Sequence, residues 1–256
     1  GTEMASMGAS YGDPNGDFEW DISVANFSEE PFTVLLGNGD GTFRDITYTS
    51  SVGNKTYSAL GWGVEWIDVE NDGDEDLFFC TGHVYPEADH PDVDTAFAQP
   101  PLLYENVGEE RFVLVESGLG DSFYRDRIGR GCAQGDLDND GDIDLVFNSL
   151  SSHPTVLRND GGNKNNWLQL VLVGTRSNRQ AVGAKVKLDS GTIHHARGIW
   201  SGSSFLSQDS TIVHFGLGKQ ETAEQIEILW PSGAKTKLEN VRVNQRLVIE
   251  EPAASE

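Results

Sequence analysis

Three nine-residue windows in the first 150 residues carry an oxygen-bearing side chain at positions 1, 3, 5 and 9, and no other feature restricts this chain so strongly. The candidate ligands are Asp13, Asn15, Asp17 and Asp21 in the first window and Asp68, Glu70, Asp72 and Asp76 in the second. In the third they are Asp136, Asp138, Asp140 and Asp144. The backbone carbonyls of Asp74 and Asp142, at position 7, complete the second and third sets. The second window holds six carboxylates and the third five, and charges about 5 Å apart repel by roughly 0.8 kcal/mol per pair even in bulk water. Such loops are comfortable only around a cation.

An all-oxygen ligand set on a flexible loop suits Ca²⁺ better than the smaller, geometry-demanding Mg²⁺. Gly73 and Gly141 fall at position 6, where the chain must turn sharply. These are not EF-hand loops, because position 12 is Phe79 or Phe147 instead of a bidentate Glu. The apolar runs Leu77-Phe78-Phe79 and Leu145-Val146-Phe147 follow, with the length and residue types of buried strands, so each loop is expected to open a strand. The first window departs from the pattern at Pro14 and Phe18, which leaves its metal binding open.

The windows sit inside a longer repeat. Gly61 to Asp68, Gly129 to Asp136 and Met7 to Asp13 precede the loops; aliphatic pairs with an Asn/Gly turn follow at Val34 to Phe43, Leu102 to Phe112 and Val156 to Gly162. Units of this length, built from several short strands, describe propeller blades of four strands each. The units resemble FG-GAP/VCBS repeats, the calcium-loop blades of integrin-type propellers. The stretches Asn166 to Arg179, Val182 to Val186, Ser201 to Gln208, His214 to Gly218 and Trp230 to Gly233 resemble an ASPIC/UnbV domain, and Gly82 to Pro86 in the second unit resembles the proteins that carry it. The resemblance implies an all-β chain. Its expected parts are about three propeller blades over residues 1–162 and an antiparallel sandwich or barrel over 163–256. It also implies an extracellular or cell-surface setting, periplasmic in a bacterium. A closed ring needs more blades than three, so further segments or copies are expected to complete it, and the chain reads as the C-terminal portion of a longer polypeptide.

Charge divides the chain at the same place. Residues 1–150 hold 31 Asp and Glu against 6 Lys and Arg, and residues 151–256 hold 10 against 12, so the net −23 is the sum of −25 and +2. The acidic part speaks against nucleic acid, whose binding relies on cations that neutralise phosphates. No run of 18 apolar residues exists, so no transmembrane segment is expected. Cys80 and Cys132 are expected to be two buried thiols.

In the second part, strands are expected over 167–173, 183–189, 192–199, 211–215, 224–230 and 245–250. Catalytic constellations are hard to find. His194 and His195 are neighbours on one expected strand and face opposite ways, which spoils a shared metal site. His83, Asp89, His90, Asp92 and Asp94 share one irregular loop and read as a packing or solvated loop before a transition-metal site. Ser201 to Phe205 lacks the G-x-S-x-G elbow of a serine hydrolase. Trp62, Trp66, Trp200 and Trp230 offer sugar-stacking faces but are expected mainly in the core. The expected function is therefore a non-enzymatic, extracellular calcium-binding structural or adhesion module that contacts a protein or glycan. A surface assembly built by strand-edge pairing is the alternative, and a polysaccharide-active enzyme the outsider.

Overall fold

The computed structural model describes residues 3–92, 94–150 and 152–253. Its first half is three small antiparallel sheets laid side by side. The first holds β1 (Ala9–Gly12), β2 (Asp21–Val24), β3 (Thr33–Gly37) and β4 (Phe43–Asp45), paired in sequence order. A short helix, α1 (Val52–Thr56), leads to the second sheet of β5 (Gly61–Ile67), β6 (Asp76–Thr81), β7 (Leu102–Asn106) and β8 (Phe112–Leu114). Among the described residues the third holds β9 (Gly129–Gly135), β10 (Asp144–Ser149) and β11 (Thr155–Leu157). The expectation of four strands per unit is thus corrected for the third blade. After Leu157 the chain meets Asn159, Asp160, Gly161 and Gly162, residues that favour turns over strands.

The central blade explains why β6 reads as an unbroken apolar run. Leu77 and Phe79 pack with Phe32, Val34 and Leu36 of the first blade. Phe78 and Cys80 point the other way, onto Cys132, Leu145 and Phe147 of the third. A strand covered on both faces loses the polar alternation of a half-wet one. Each large side chain so buried contributes roughly 1.5–3 kcal/mol. Both cysteines are buried free thiols, as expected from the sequence.

The second domain is a sandwich. One sheet has the order β14 (His194–Gly198), β13 (Lys185–Asp189), β16 (Thr222–Leu229) and β17 (Lys235–Arg242). The other has β15 (Val213–Gly218), β12 (Asn166–Val173) and β18 (Gln245–Glu250). Leu168, Leu170 and Phe215 from one meet Val186, Ile226 and Ile228 from the other. Two expectations need correction. The sandwich is mixed, because β18 runs parallel to β12 from Leu168↔Gln245 to Val173↔Glu250. β17 was not expected as a strand: Lys235, Lys237, Glu239 and Arg242 occupy it, and its residues are half-buried or exposed.

Between β14 and β15 a loop crosses into the propeller. Ser204 exchanges backbone hydrogen bonds with Ala9 of β1, at 3.3 and 3.1 Å. Its hydroxyl accepts from Val64 N of β5 at 2.9 Å and lies 3.1 Å from Cys132 Sγ of β9. One serine therefore touches the first strand of all three blades.

Candidate metal centre

Each acidic window joins the first and second strands of its blade, so all three emerge at the same end of the propeller. Their turns are built alike. The position 1 carboxylate accepts the N–H groups of positions 5 and 6: Asp13 from Asp17 and Phe18 at 3.0 and 3.1 Å, Asp68 from Asp72 and Gly73 at 3.1 and 3.0 Å, and Asp136 from Asp140 and Gly141 at 3.1 and 3.2 Å. Position 4 is left-handed in all three, with φ of 71° at Gly16, 55° at Asn71 and 64° at Asn139. Glycine and asparagine tolerate that conformation best. Position 6 also has positive φ, 100° at Gly73 and Gly141 and 69° at Phe18. The first loop keeps the common path despite lacking the glycine.

Position 9 opens the second strand and is clamped by the end of the third. Asp21 accepts from Gly37 N, Asp76 from Asn106 N and Asp144 from Asn159 N, each at 2.8 Å. The two asparagines then reach the preceding loop: Asn106 Nδ2 donates to Pro14 O at 3.1 Å and Asn159 Nδ2 to Val69 O at 2.7 Å. These are the Asn/Gly turn residues of the repeat; their bridging role was not anticipated, although their recurrence at one place in each unit was the available signal. The second oxygen of position 9 accepts the position 2 N–H, from Val69 to Asp76 at 3.3 Å and from Leu137 to Asp144 at 2.9 Å. Pro14 has no N–H to give. Asp21 Oδ2 is accordingly buried without a hydrogen-bond partner.

The donor chemistry fits a hard cation. Calcium binds oxygens at about 2.4 Å, so ligands around one ion lie within about 4.8 Å of one another. Asp136, Asp138 and Asp144 each offer an oxygen within 4.8 Å of the others, and among the described residues no other group of three carboxylates, histidines or cysteines does so. Asp140 completes the third set in sequence, and its neighbour Asp142 has Oδ1 buried and unpartnered. In the second loop Asp68, Glu70, Asp72 and Asp76 do not converge to that distance. Burial, reinforced by Asp72, pushes Asp68 well above the carboxylate range, and burial followed by the charge of Glu70 does the same to Asp76. Burial and then Asp72 raise Asp74 to about 7. In the first loop, burial raises Asp13 to about 7 and Asp21 to about 8; Asn15 supplies a neutral oxygen and donates to Asp17 at 3.0 Å. Burial of this kind disfavours the charged form, and a bound cation would offset that cost.

The second domain sits on the loops. Ala196 N donates to Asp13 Oδ2 at 2.7 Å, Gln169 Nε2 to Asp136 Oδ2 at 2.7 Å, and Arg197 pairs at 3.1 Å with Glu75, which accepts Asp13 N at 2.7 Å. His195 and His214 are held near 3 by burial and then by Arg197, so both rings are neutral. Position 6 faces this domain in every loop. The Phe18 ring meets His194 edge-on at 5.9 Å with Lys187 Nζ 5.0 Å away; a Cβ on Gly73 would lie 2.7 Å from Ile193, and one on Gly141 would collide with the Trp167 indole. The glycines thus serve both the turn and the close approach.

The other sequence candidates do not assemble. His83 bonds Ser28 outside the loop, Asp89 accepts Phe97 N, and His90 lies 3.6 Å from Asp92; among the described residues these side chains gather no ligand set. Trp66 and Trp230 are core, as expected, while Trp62 and Trp200 are half-buried. Ser201 to Phe205 belongs to the loop that inserts into the propeller.

The profile described as "ASPIC and UnbV" matches residues 174–256, and the one described as "FG-GAP-like repeat" matches 13–79. The chain is thus similar to an ASPIC/UnbV domain over residues 174–256 and to an FG-GAP-like repeat over residues 13–79. The chain is 32% identical over 239 residues to cartilage acidic protein 1 of Xenopus tropicalis and 38% identical over 237 residues to that of Homo sapiens. Each match covers 88% of the chain but only 34% and 33% of the relative. The chain therefore spans about a third of the length of the curated relatives it matches.

Proposed function

We propose that this chain is a non-enzymatic calcium-stabilised structural or adhesion module that works outside the cell, in matrix or at a surface, or in the periplasm if its source is bacterial. The convergence of Asp136, Asp138 and Asp144 carries the reading. With Asp140 and the Asp142 carbonyl they would hold one ion; Asp68, Glu70, Asp72, Asp76 and the Asp74 carbonyl would hold a second, and Asp13, Asn15, Asp17 and Asp21 a third. When bound, the ion would neutralise a crowded set of carboxylates. Loops of this kind in extracellular modules bind with dissociation constants on the order of 10⁻⁴–10⁻³ M, so they fill where calcium is millimolar. The relatives' name contains both "cartilage" and "acidic", and this chain shares the acidity at −23. The stiffened blades and their loops would then contact a protein or glycan, and no helix among the described residues is long and apolar enough to cross a membrane.

Strand-edge assembly is disfavoured by the edges themselves. β4 is only three residues long, and β17 carries Lys235, Lys237 and Glu239, which blunt pairing with another sheet. Calorimetric titration of the chelated protein tests the calcium reading: saturable binding of Ca²⁺, weaker for Mg²⁺, is expected, and no binding of either ion at millimolar concentration would overturn it.

A further inference from the structure

The loops differ in sequence, yet the second domain grips each at a residue that organises its turn. In the first, Ala196 N donates to Asp13 Oδ2 at 2.7 Å, and His195 Nδ1 lies 3.0 Å from the Asp13 carbonyl. In the second, His214 Nε2 reaches Asn71 Oδ1 at 2.7 Å, and Asn71 Nδ2 donates on to Gly141 O of the third loop at 2.8 Å. In the third, Gln169 Nε2 donates to Asp136 Oδ2 at 2.7 Å. His214 and Gln169 are themselves neighbours, at 3.3 Å. Both act as donors here: the Asn71 amide nitrogen is committed to Gly141, so its oxygen must accept, and Gln169 Oε1 is occupied by Arg246 Nε at 2.7 Å. Neither offers an oxygen to a cation. Each instead fixes the outward side of a residue whose remaining oxygens or backbone shape the loop.

We propose that His214 and Gln169 are positioning residues for the cation loops, so that cation binding in the propeller and docking of the second domain form one linked equilibrium. The inference rests on the calcium reading and extends it. Reciprocity is required by thermodynamics: whatever factor docking adds to cation affinity, the cation adds to docking. The contact leaves little slack, because Ile193 and Trp167 press against the glycine positions of the second and third loops. A loop that relaxes when its carboxylates lose their cation must push the second domain or release its donors.

The test pairs calorimetric Ca²⁺ titration with amide hydrogen exchange on the whole chain. Gln169→Leu and His214→Phe, which remove the donors while keeping bulk, are expected to weaken calcium binding by about tenfold, within the usual range of such couplings. Leu172→Ala, in the sandwich core at the Glu251 end of β12, is expected to lower the melting temperature and leave calcium affinity unchanged. In the unaltered protein, chelation is expected to speed exchange of the Ala196 amide by about tenfold or more. Calcium binding that is intact in both variants, or an Ala196 amide equally protected with and without chelator, overturns the linkage and leaves the calcium reading standing. No calcium binding by the unaltered protein overturns both. Should one variant fail to fold, the other and the Ala196 measurement still decide.

Discussion

Asp21 in the first blade and Glu251 at the end of the second domain are both buried carboxylates, 0% and 3% exposed, and the two regions treat them in opposite ways. Burial lifts Asp21 to about 8, with one N–H bond from Gly37 set against the charges of Asp17 and Asp13, and its Oδ2 has no partner. Burial alone would also raise Glu251. Hydrogen bonds from the Ser232 hydroxyl, from Ser177 N and Oγ at 2.7 and 2.9 Å, and from Arg176 N and Thr175 N at 2.8 and 3.0 Å hold it at about 2 instead. A buried anion needs donors or a cation. The second domain supplies donors from its own backbone and side chains; the blades crowd carboxylates together, and the proposed cation would supply the compensation there.

The largest test of this contrast is cation removal. If every loop carries an ion at a hundredfold its dissociation constant, each adds roughly 2.7 kcal/mol. Melting with and without chelator should show the propeller losing most of this, while the Glu251 nest, with no use for a metal, keeps its hydrogen bonds. Asp138→Ala should abolish the share of the third loop, whereas Asn15→Ala should cost less, because Asn15 brings no charge. Equal losses from the two would show that the first loop binds as well as the third.

Next in size is Gly141→Ala set against Gly233→Ala. Both glycines have positive φ, 100° and 86°. A Cβ at Gly233 meets nothing within 4 Å, while one at Gly141 strikes Trp167. Both substitutions carry the strain of a left-handed residue, about 1 kcal/mol. Gly141→Ala should lose a further 1–3 kcal/mol or so for overpacking. Denaturant titration of the two variants measures the difference; parity would mean that Trp167 gives way freely.

A smaller effect separates the regions by pH. Because the folded value of Glu251, about 2, lies below its ordinary 4.5, its contribution is present above pH 4.5 and is lost as the pH falls toward 2. Glu251→Gln should flatten that acid limb of the stability curve and leave calcium binding untouched. An acid limb of unchanged slope would show that the donors do not favour the charged form.

The parts of this architecture that were legible in the sequence are those written locally. Positions 1 and 9 of each window, the glycines at position 6 and the apolar run of β6 all express constraints that act over a few residues. What escaped notice depends on distant partners. The parallel pairing of β12 with β18 joins Leu168 to Gln245, and the grip of Ala196 on Asp13 spans 183 residues, so no local pattern announces either. β17 was hidden by its charges, which suit a strand with a wet face as well as they suit a loop. Asn71 and Asn139 stood in plain view at position 4, but the demand for a left-handed residue there became apparent only from the backbone.

The smallest expected effect is the most specific to the first loop. In the second and third loops the position 2 N–H satisfies the free oxygen of position 9, and Pro14 denies that bond to Asp21. Pro14→Ala restores the donor. A hydrogen bond made to a buried, previously unpaired oxygen is worth about 1–3 kcal/mol, while giving up proline returns roughly 0.4–1 kcal/mol of conformational freedom to the unfolded chain. The carbonyl that accepts from Asn106 is kept, so the bridge between blades survives. The net expectation is a gain of about 1 kcal/mol in the presence of chelator, shrinking when calcium is added, because an ion bound at Asp21 already satisfies that oxygen. Denaturant melts of both forms under both conditions decide the matter. A gain that is the same with and without calcium would mean that the first loop holds no ion, and a loss in both would mean that its path depends on the proline itself.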